Sequence, residues 1–343
     1  MGTYKGIQGY RVESLASDPG DITKVIGKVW YNSSSNVWKV GVEAPGSWSA
    51  APTLNEARSS AGYSGTSNTS AMIFGGNEAY PFALPGKTEQ YNGTSWTEVS
   101  DQVVARMNTG GQGTATASLC FGGSSFTGGV PGLTRQASNE EWNGTSWTEK
   151  ANLSQALNNN AAAGGPATPT AALCMGGNPE PQGQTTRIWD GSSWTDSASL
   201  NAVVASGMGC GTSTAALCIG GSPTPRANET EIWNGTSWTV TADSGNNRTS
   251  GGASGTSTAA LQFGGYDSNL SPPTNTVNVE KWNGTSWTEV ANLGQSATTT
   301  GGCSISSSAT MKIGGYSGPP EIYYNFTEEW QDPVIGAKTI TTS

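Results

Sequence analysis

The sequence contains no histidine, so any chemistry it performs must be built from other side chains. That removes the usual general base near neutral pH, the commonest zinc ligand and every Ser-His-Asp or Cys-His nucleophile. What remains is a pair of carboxylates, sufficient for glycoside hydrolysis, with arginines for anions and aromatic rings for sugars or apolar partners. The acids recur in register. Glu89, Glu140, Glu231 and Glu280 stand two residues before an aromatic, and Glu98, Glu149 and Glu289 stand two residues after a Trp. Such periodicity reads as solvated strand faces, whereas a catalytic pair would break the repeat. No enzymatic activity, cofactor or metal site is therefore expected, and a carbohydrate-processing enzyme using Asp or Glu is the alternative.

The elements that position these residues are repeated. YNGTSW at 91–96, WNGTSW at 142–147, WDGSSW at 189–194, and WNGTSW at 233–238 and 282–287 are five copies of one hairpin. Asn-Gly or Asp-Gly between strand-like arms predicts a two-residue type I′ turn, with Trp282 opposite Thr285 and both tryptophans on one face. The second Trp of each copy is expected to pack between repeats. Ahead of each hairpin runs an apolar segment ending in Gly-Gly, six in all from MIFGG at 72–76 to MKIGG at 311–315. Ten residues after the second Trp comes a constant crossing position: Arg106, Leu157, Val204, Arg248 and Ala297. Each unit thus reads as four short strands.

The chain ends complete the count. FTEEW at 326–330 ends at Trp330 without the fourth strand that should follow, while PGSWS near the start carries Trp48 with Arg58 ten residues later. The strand around Trp48 is expected to pair with that ending at Trp330 and close an all-β, six-bladed β-propeller over residues 46–330. Trp48, Trp96, Trp147, Trp194, Trp238 and Trp287 would be its inter-blade tryptophans. Arg58, Arg106 and Arg248 share the crossing and would sit near one rim of the central channel, either around an anionic ligand or paired with neighbouring carboxylates or carbonyls.

Gly-Gly closing a second strand, then an aromatic in the third and a Trp in the fourth, resembles the kelch repeat. The wording GKVWYNSSSNVWKV followed by GSWS and LNEAR also resembles virion structural proteins of marine tailed phages, of the cyanophage type. The resemblance implies a multi-copy external virion protein, assembled in the host cytoplasm and contacting capsid, tail or fibre subunits. Host surface glycan or receptor adhesion is a further implied role. Kelch-like copper oxidases need histidine ligands, so their activity does not carry over. WDGSSW is superficially like the Asp box of sialidases, yet Asp190 and Gly191 are adjacent and the other copies have Asn92, Asn143, Asn234 and Asn283, which the turn explains.

Charged residues make up 12% of the chain, and a net charge of −9 with pI near 4.6 argues against nucleic acid as a partner. No apolar run suits a signal peptide or a membrane span, so NGT-type sequons are discounted. Cys120, Cys174 and Cys218 share one strand position, and Cys210 and Cys303 lie in first strands, where a local disulfide or free thiols are both compatible with the spacing. The segments between Gly-Gly and the third strand vary in length and should crown one face. Tyr80, Phe82, Phe126 and Tyr266 make them candidate binding loops. Residues 1–45 read as an arm and a hairpin bearing Trp30 and Trp38, an attachment element, and 331–343 as a strand-like tail.

Overall fold

Each Asn-Gly-Thr-Ser segment is a four-residue connection, not the two-residue turn expected of Asn-Gly. In the fifth copy Trp282 pairs directly with Trp287, and Asn283 Oδ1 accepts the amides of Thr285 and Ser286, each at 2.9 Å. Of these four residues only Gly284 has a positive φ, 97°. The Asn side chain folds the loop as an Asx turn, so the second left-handed residue of a type I′ turn is not needed. The two indoles therefore face each other across the ladder, their ring centres 5.3 Å apart.

The structure is a computed structural model that describes residues 13–20, 24, 26–78, 83–126, 132–164, 169–179, 182–223, 227–271, 274–302, 305–318 and 321–340. It is an all-β chain of four-stranded sheets, an architecture consistent with a β-propeller. It divides into two units, one of Met1–Ser47 with Asp332–Ser343 and the other Trp48–Gln331.

In the larger unit the first sheet is Gly62–Ser67, Ser70–Phe74, Thr88–Tyr91 and Trp96–Val99. The second is Gly110–Thr114, Ala117–Phe121, Asn139–Trp142 and Trp147–Lys150, and the third is Ala161–Gly164, Ala172–Met175, Thr186–Trp189 and Trp194–Asp196. The fourth is Met208–Thr212, Ala215–Ile219, Thr230–Trp233 and Trp238–Val240, and the fifth is Gly252–Thr256, Ala259–Phe263, Val279–Trp282 and Trp287–Val290. The sixth combines Gly301–Gly302, Met311–Ile313 and Thr327–Gln331 with Ser47–Ala51 from the start of the chain. There the Trp48 and Trp330 rings lie 5.5 Å apart, the spacing of the hairpin pairs.

Gly-Gly joins neighbouring sheets. The second glycine donates its amide to the crossing carbonyl of the next sheet: Gly76 to Arg106 (2.9 Å), Gly123 to Leu157 (2.8 Å), Gly177 to Val204 (2.7 Å), Gly221 to Arg248 (3.0 Å), Gly265 to Ala297 (2.8 Å) and Gly315 to Arg58 (2.9 Å). A Cβ on Gly176 would lie 2.2 Å from Val204 O, and both glycines have positive φ, 63° and 99°, so no other residue fits that pair. Two residues past each crossing the backbone turns left-handed at Ser60, Asn108, Asn159, Ser206, Ser250 and Thr299. Each of these amides donates to the carbonyl of the one before, and the Ser60 amide donates to Thr299 O at 3.1 Å.

The core is a set of clusters, each drawn from two adjacent sheets. Leu54, Ile73, Tyr91 and Trp96 with Met311 and Ile313 form the one between the sixth sheet and the first. Phe rings of second strands meet the fourth-strand tryptophans of the next sheet, as in Phe74–Trp147 (4.9 Å), Phe121–Trp194 (4.8 Å) and Phe263–Trp48 (5.2 Å). Those indole N–H groups need acceptors in the preceding sheet. Trp147, Trp238 and Trp287 donate to Thr88, Thr186 and Thr230 Oγ1 at 2.9, 2.7 and 3.0 Å. Where the first residue of that third strand is Asn139 or Val279, the Trp194 and Trp48 indole nitrogens are buried without a partner.

The smaller unit is one sheet in the order Glu13–Leu15, Val29–Asn32, Val37–Ala44, Val334–Thr339, its first pair parallel. The N-terminal hairpin and the C-terminal tail thus share a ladder, with Ala44 opposite Val334. Asp18 accepts from Asn32 Nδ2 (2.8 Å), Lys39 Nζ (2.7 Å) and Trp30 Nε1 (3.3 Å).

The hydroxyl rule gives a two-way prediction. Thr186→Val should lower stability by about 1 kcal/mol or more by orphaning the Trp238 indole, and Val279→Thr should raise it by about 0.5–1.5 kcal/mol by giving the Trp48 indole an acceptor. Urea melts of the two variants should shift in opposite directions, and a common shift refutes the rule.

Candidate functional site

The three crossing arginines are not accessible to a ligand. Arg58, Arg106 and Arg248 are fully buried, and each guanidinium pairs with a buried glutamate two residues before the first aromatic of its hairpin. Arg106 Nη2 lies 2.6 Å from Glu140 Oε1 and Arg248 Nη2 lies 2.6 Å from Glu280 Oε2, while Arg58 binds Glu89 in the same way. Nη1 of each donates to a main-chain carbonyl at the entry to the third strand: Lys87, Ser138 or Asn278, at 2.8–2.9 Å. This overturns the reading of Glu89, Glu140, Glu231 and Glu280 as solvated acids, because all four are buried. The cause is the ladder. Each shares the buried face with the Tyr or Trp two residues on, whereas Glu98, Glu149 and Glu289 are exposed.

Each glutamate also accepts amides from the segment leading into the crossing. Asn55 N donates to Glu89 (2.8 Å), Val103 N to Glu140 (2.8 Å), Asn201 N to Glu231 (3.0 Å), Gly245 N to Glu280 (2.6 Å) and Gly294 N to Glu328 (2.7 Å). These donors, joined by a guanidinium at Glu89, Glu140 and Glu280, offset the cost of removing each carboxyl group from water. The third sheet differs. Leu157 holds the crossing, Arg187 stands where the others carry Glu, and Asp196 across the ladder supplies the negative charge 3.5 Å from Arg187 Nε.

The sixth sheet differs in another way. Ala297 leaves the arginine's place empty, and Lys312 enters from the second strand with Nζ 3.5 Å above the centre of the Phe326 ring. No hydrogen-bond partner reaches that ammonium. Burial holds its pKa down, to about 7, with Glu328 pulling the other way.

The first strands of the six sheets border a cavity of about 150 Å³, lined by uncharged residues that are mostly small. Among Gly111, Ala162, Gly209, Ala253 and Gly302 stand the larger Gln112, Met208 and Tyr63, and the Tyr63 hydroxyl donates to Thr299 O at 3.2 Å. The cavity therefore offers no charged group to a ligand.

The variable loops are what remains. Tyr80 and Phe82 lie outside the described residues. Phe126 is 52% exposed and Tyr266 41%. Beside the loop that carries Phe126 is a recess of about 450 Å³ lined by Asn108, Ser124, Leu133, Thr134, Arg135 and Asn158. Reading the sequence missed these residues, although Arg135 was visible as a cation in a segment that does not repeat. Of the attachment residues, Trp30 is buried and Trp38 is 45% exposed. Cys120, Cys174, Cys210 and Cys218 are free thiols, with Cys174 and Cys210 pushed up to about 12 by burial, and Cys303 lies outside the described residues. Among the described residues no group of three or more Cys, Asp or Glu is placed to hold a metal, and no helix is long and apolar enough to cross a membrane.

No protein-family model and no curated protein sequence matches the chain. The site must therefore be read from its own geometry.

Lys312 carries a pH prediction. Between about pH 7 and 10.5 the unfolded chain holds a proton at this residue that the folded protein does not, so its cost to stability fades as pH rises through that window and is complete below it. Gln262 occupies the same position in the fifth sheet and bonds Glu280 at 2.9 Å. Lys312→Gln should thus be more stable than the parent at pH 6, with the difference shrinking towards pH 10. A constant difference across thermal melts in that range would refute it.

Proposed function

We propose that the chain is a closed, six-bladed kelch-type propeller that serves as a non-enzymatic, external structural protein of a tailed-phage particle, displaying its variable loops for adhesion. Ring closure is supported by two backbone circuits. The Gly-Gly bonds run from sheet to sheet and return from Gly315 to Arg58, and the left-handed residues run from Asn108 round to Ser60 and Thr299. Six blades also leave no sheet edge open between first and last.

The observation that carries the display role is where the charge goes. The repeated Arg–Glu pairs are spent inside the sheets, while the non-repeating Gly-Gly loops carry exposed aromatics and the open recess. No carboxylate lines that recess, which disfavours the carbohydrate-processing alternative. The particle setting rests on the resemblance of the N-terminal wording to phage virion proteins.

The smaller unit fits attachment to another protein of the particle. Val29, Tyr31, Trp38, Val40 and Val42 share one face of its sheet with Val334. Val334 is 64% exposed, and Tyr31 and Trp38 lie ring to ring at 5.4 Å. Apolar faces of this kind mark contact surfaces. The double variant Trp38→Asp, Val334→Asp should lower the copy number in purified particles several-fold, by quantitative mass spectrometry, while the melting of the larger unit stays put. Incorporation at the parent level would sink the attachment reading, and release of reducing sugar from host-surface glycans would sink the non-enzymatic one.

A further inference from the structure

The Gly-Gly of the second sheet leads into a two-stranded hairpin, Ser124–Ser125 with Thr134–Arg135. The fifth and sixth sheets carry short ladders at the same place, Tyr266–Asp267 with Thr274–Asn275 and Tyr316–Ser317 with Ile322–Tyr323, but of the three returning strands only that of the second sheet carries a cation. The hairpin is anchored on the crossings of its own sheet and the next, because Met107 bridges Ser124 and Leu157 bridges Gln136. The recess of about 450 Å³ lies between them, and Asn108, one of the six left-handed axial residues, contributes to its wall. That volume falls within the roughly 300–1,000 Å³ of small-molecule sites.

The lining is chemically mixed: two amides, two hydroxyls, one guanidinium and one aliphatic chain. Asn158 is held by its Nδ2, which donates to Ser124 Oγ at 2.7 Å. Its Oδ1 is buried and has no partner among the described residues. Arg135 is exposed, and among the described residues it forms no ion pair, in contrast to the buried Arg58, Arg106 and Arg248. A guanidinium without an ion-pair partner among the described residues, on a chain of net charge −9, is a local exception in the protein's field.

Each part of the lining excludes a ligand class. A bare phosphate would engage Arg135 and leave the amides and Leu133 unused. A neutral sugar would use the amides and hydroxyls and leave the guanidinium unpaired. A carboxylate-bearing sugar uses all of them. Its carboxylate takes the two-pronged guanidinium, its ring hydroxyls take Asn108, Asn158 and Ser124, and its apolar ring face lies on Leu133 with Phe126 exposed just along the chain. We propose that this recess binds a carboxylate-bearing sugar, of the uronic or sialic acid class, within a surface polysaccharide. This rests on the display reading and names the glycan class it would meet.

The test uses the full chain and calorimetric titration with oligogalacturonate, oligosialic acid, a neutral galacto-oligosaccharide and inorganic phosphate. At least one acidic oligosaccharide should bind at least tenfold tighter than the neutral one. Arg135→Gln should weaken that binding at least tenfold and Arg135→Lys less, with unchanged melting temperatures because the side chain is exposed. Asn158→Asp should weaken it too, by setting a second carboxylate against the ligand's. Equal affinity for acidic and neutral sugars, no binding of either acidic probe, competition by phosphate at equal concentration, or indifference to Arg135→Gln would each overturn the proposal. Labelled protein on host cells separates the two layers. Cell binding that ignores both Arg135→Gln and added uronate defeats the recess and spares the display role. Arg135-dependent binding of acidic sugar with no cell binding does the reverse.

Discussion

The Gly-Gly hydrogen bond to the next crossing is the constraint from which the rest of the larger unit follows. It joins the second strand of one sheet to the entry of the next, so it sets the distance at which the Trp of one sheet can cover the Phe of its neighbour. It demands two left-handed residues in succession, with one Cβ position blocked by a carbonyl, which only glycine satisfies. The same join turns the crossing residue inward and places its side chain under the third strand. An apolar or arginine side chain at that position is thus a consequence of the latch.

Burying a charge in that slot is costly unless it is met on every side. The protein meets it with a fixed set of main-chain donors and a variable cation. Arginine enters from the crossing in the first, second and fifth sheets, in the fourth Asn201 Nδ2 supplies a neutral donor 2.7 Å from Glu231, and in the sixth Lys312 lies across the ladder from Glu328 without a hydrogen bond to it. The third sheet inverts the polarity, with Arg187 inside and Asp196 outside. These are alternative solutions to one electrostatic problem on a shared backbone. The charge they leave on the repeating surface is mainly acidic, at Glu98, Glu149 and Glu289, and an exposed cation such as Arg135 stands out against it.

The strand count per unit, the Gly-Gly series, the constant crossing and the pairing of Trp48 with Trp330 could all be read from spacing, because spacing reports backbone period. Partnership could not. Arginines at one repeat position and glutamates at another were both visible, but the sequence does not show that the two positions converge across about thirty residues of chain. The telling signal was the third unit, where the Arg and the Glu are lost together, at Leu157 and Arg187. The turn was misread because an Asn side chain can replace a second left-handed residue. The recess was invisible because it is completed by Leu133, Thr134 and Arg135 of an irregular loop, which follows no period.

The sixth sheet takes its last strand from residues 47–51 and its other three from residues 301–331. A ribosome therefore releases the strands of the other five sheets before the sixth can be finished, and the early strand must wait until Thr327–Gln331 has been made. Such long-range pairing is slow, and a chain stalled before residue 327 would carry Ser47–Ala51 without its partner strand and Trp48 without the Trp330 ring beside it. That interval is when neighbouring chains are most able to exchange strands.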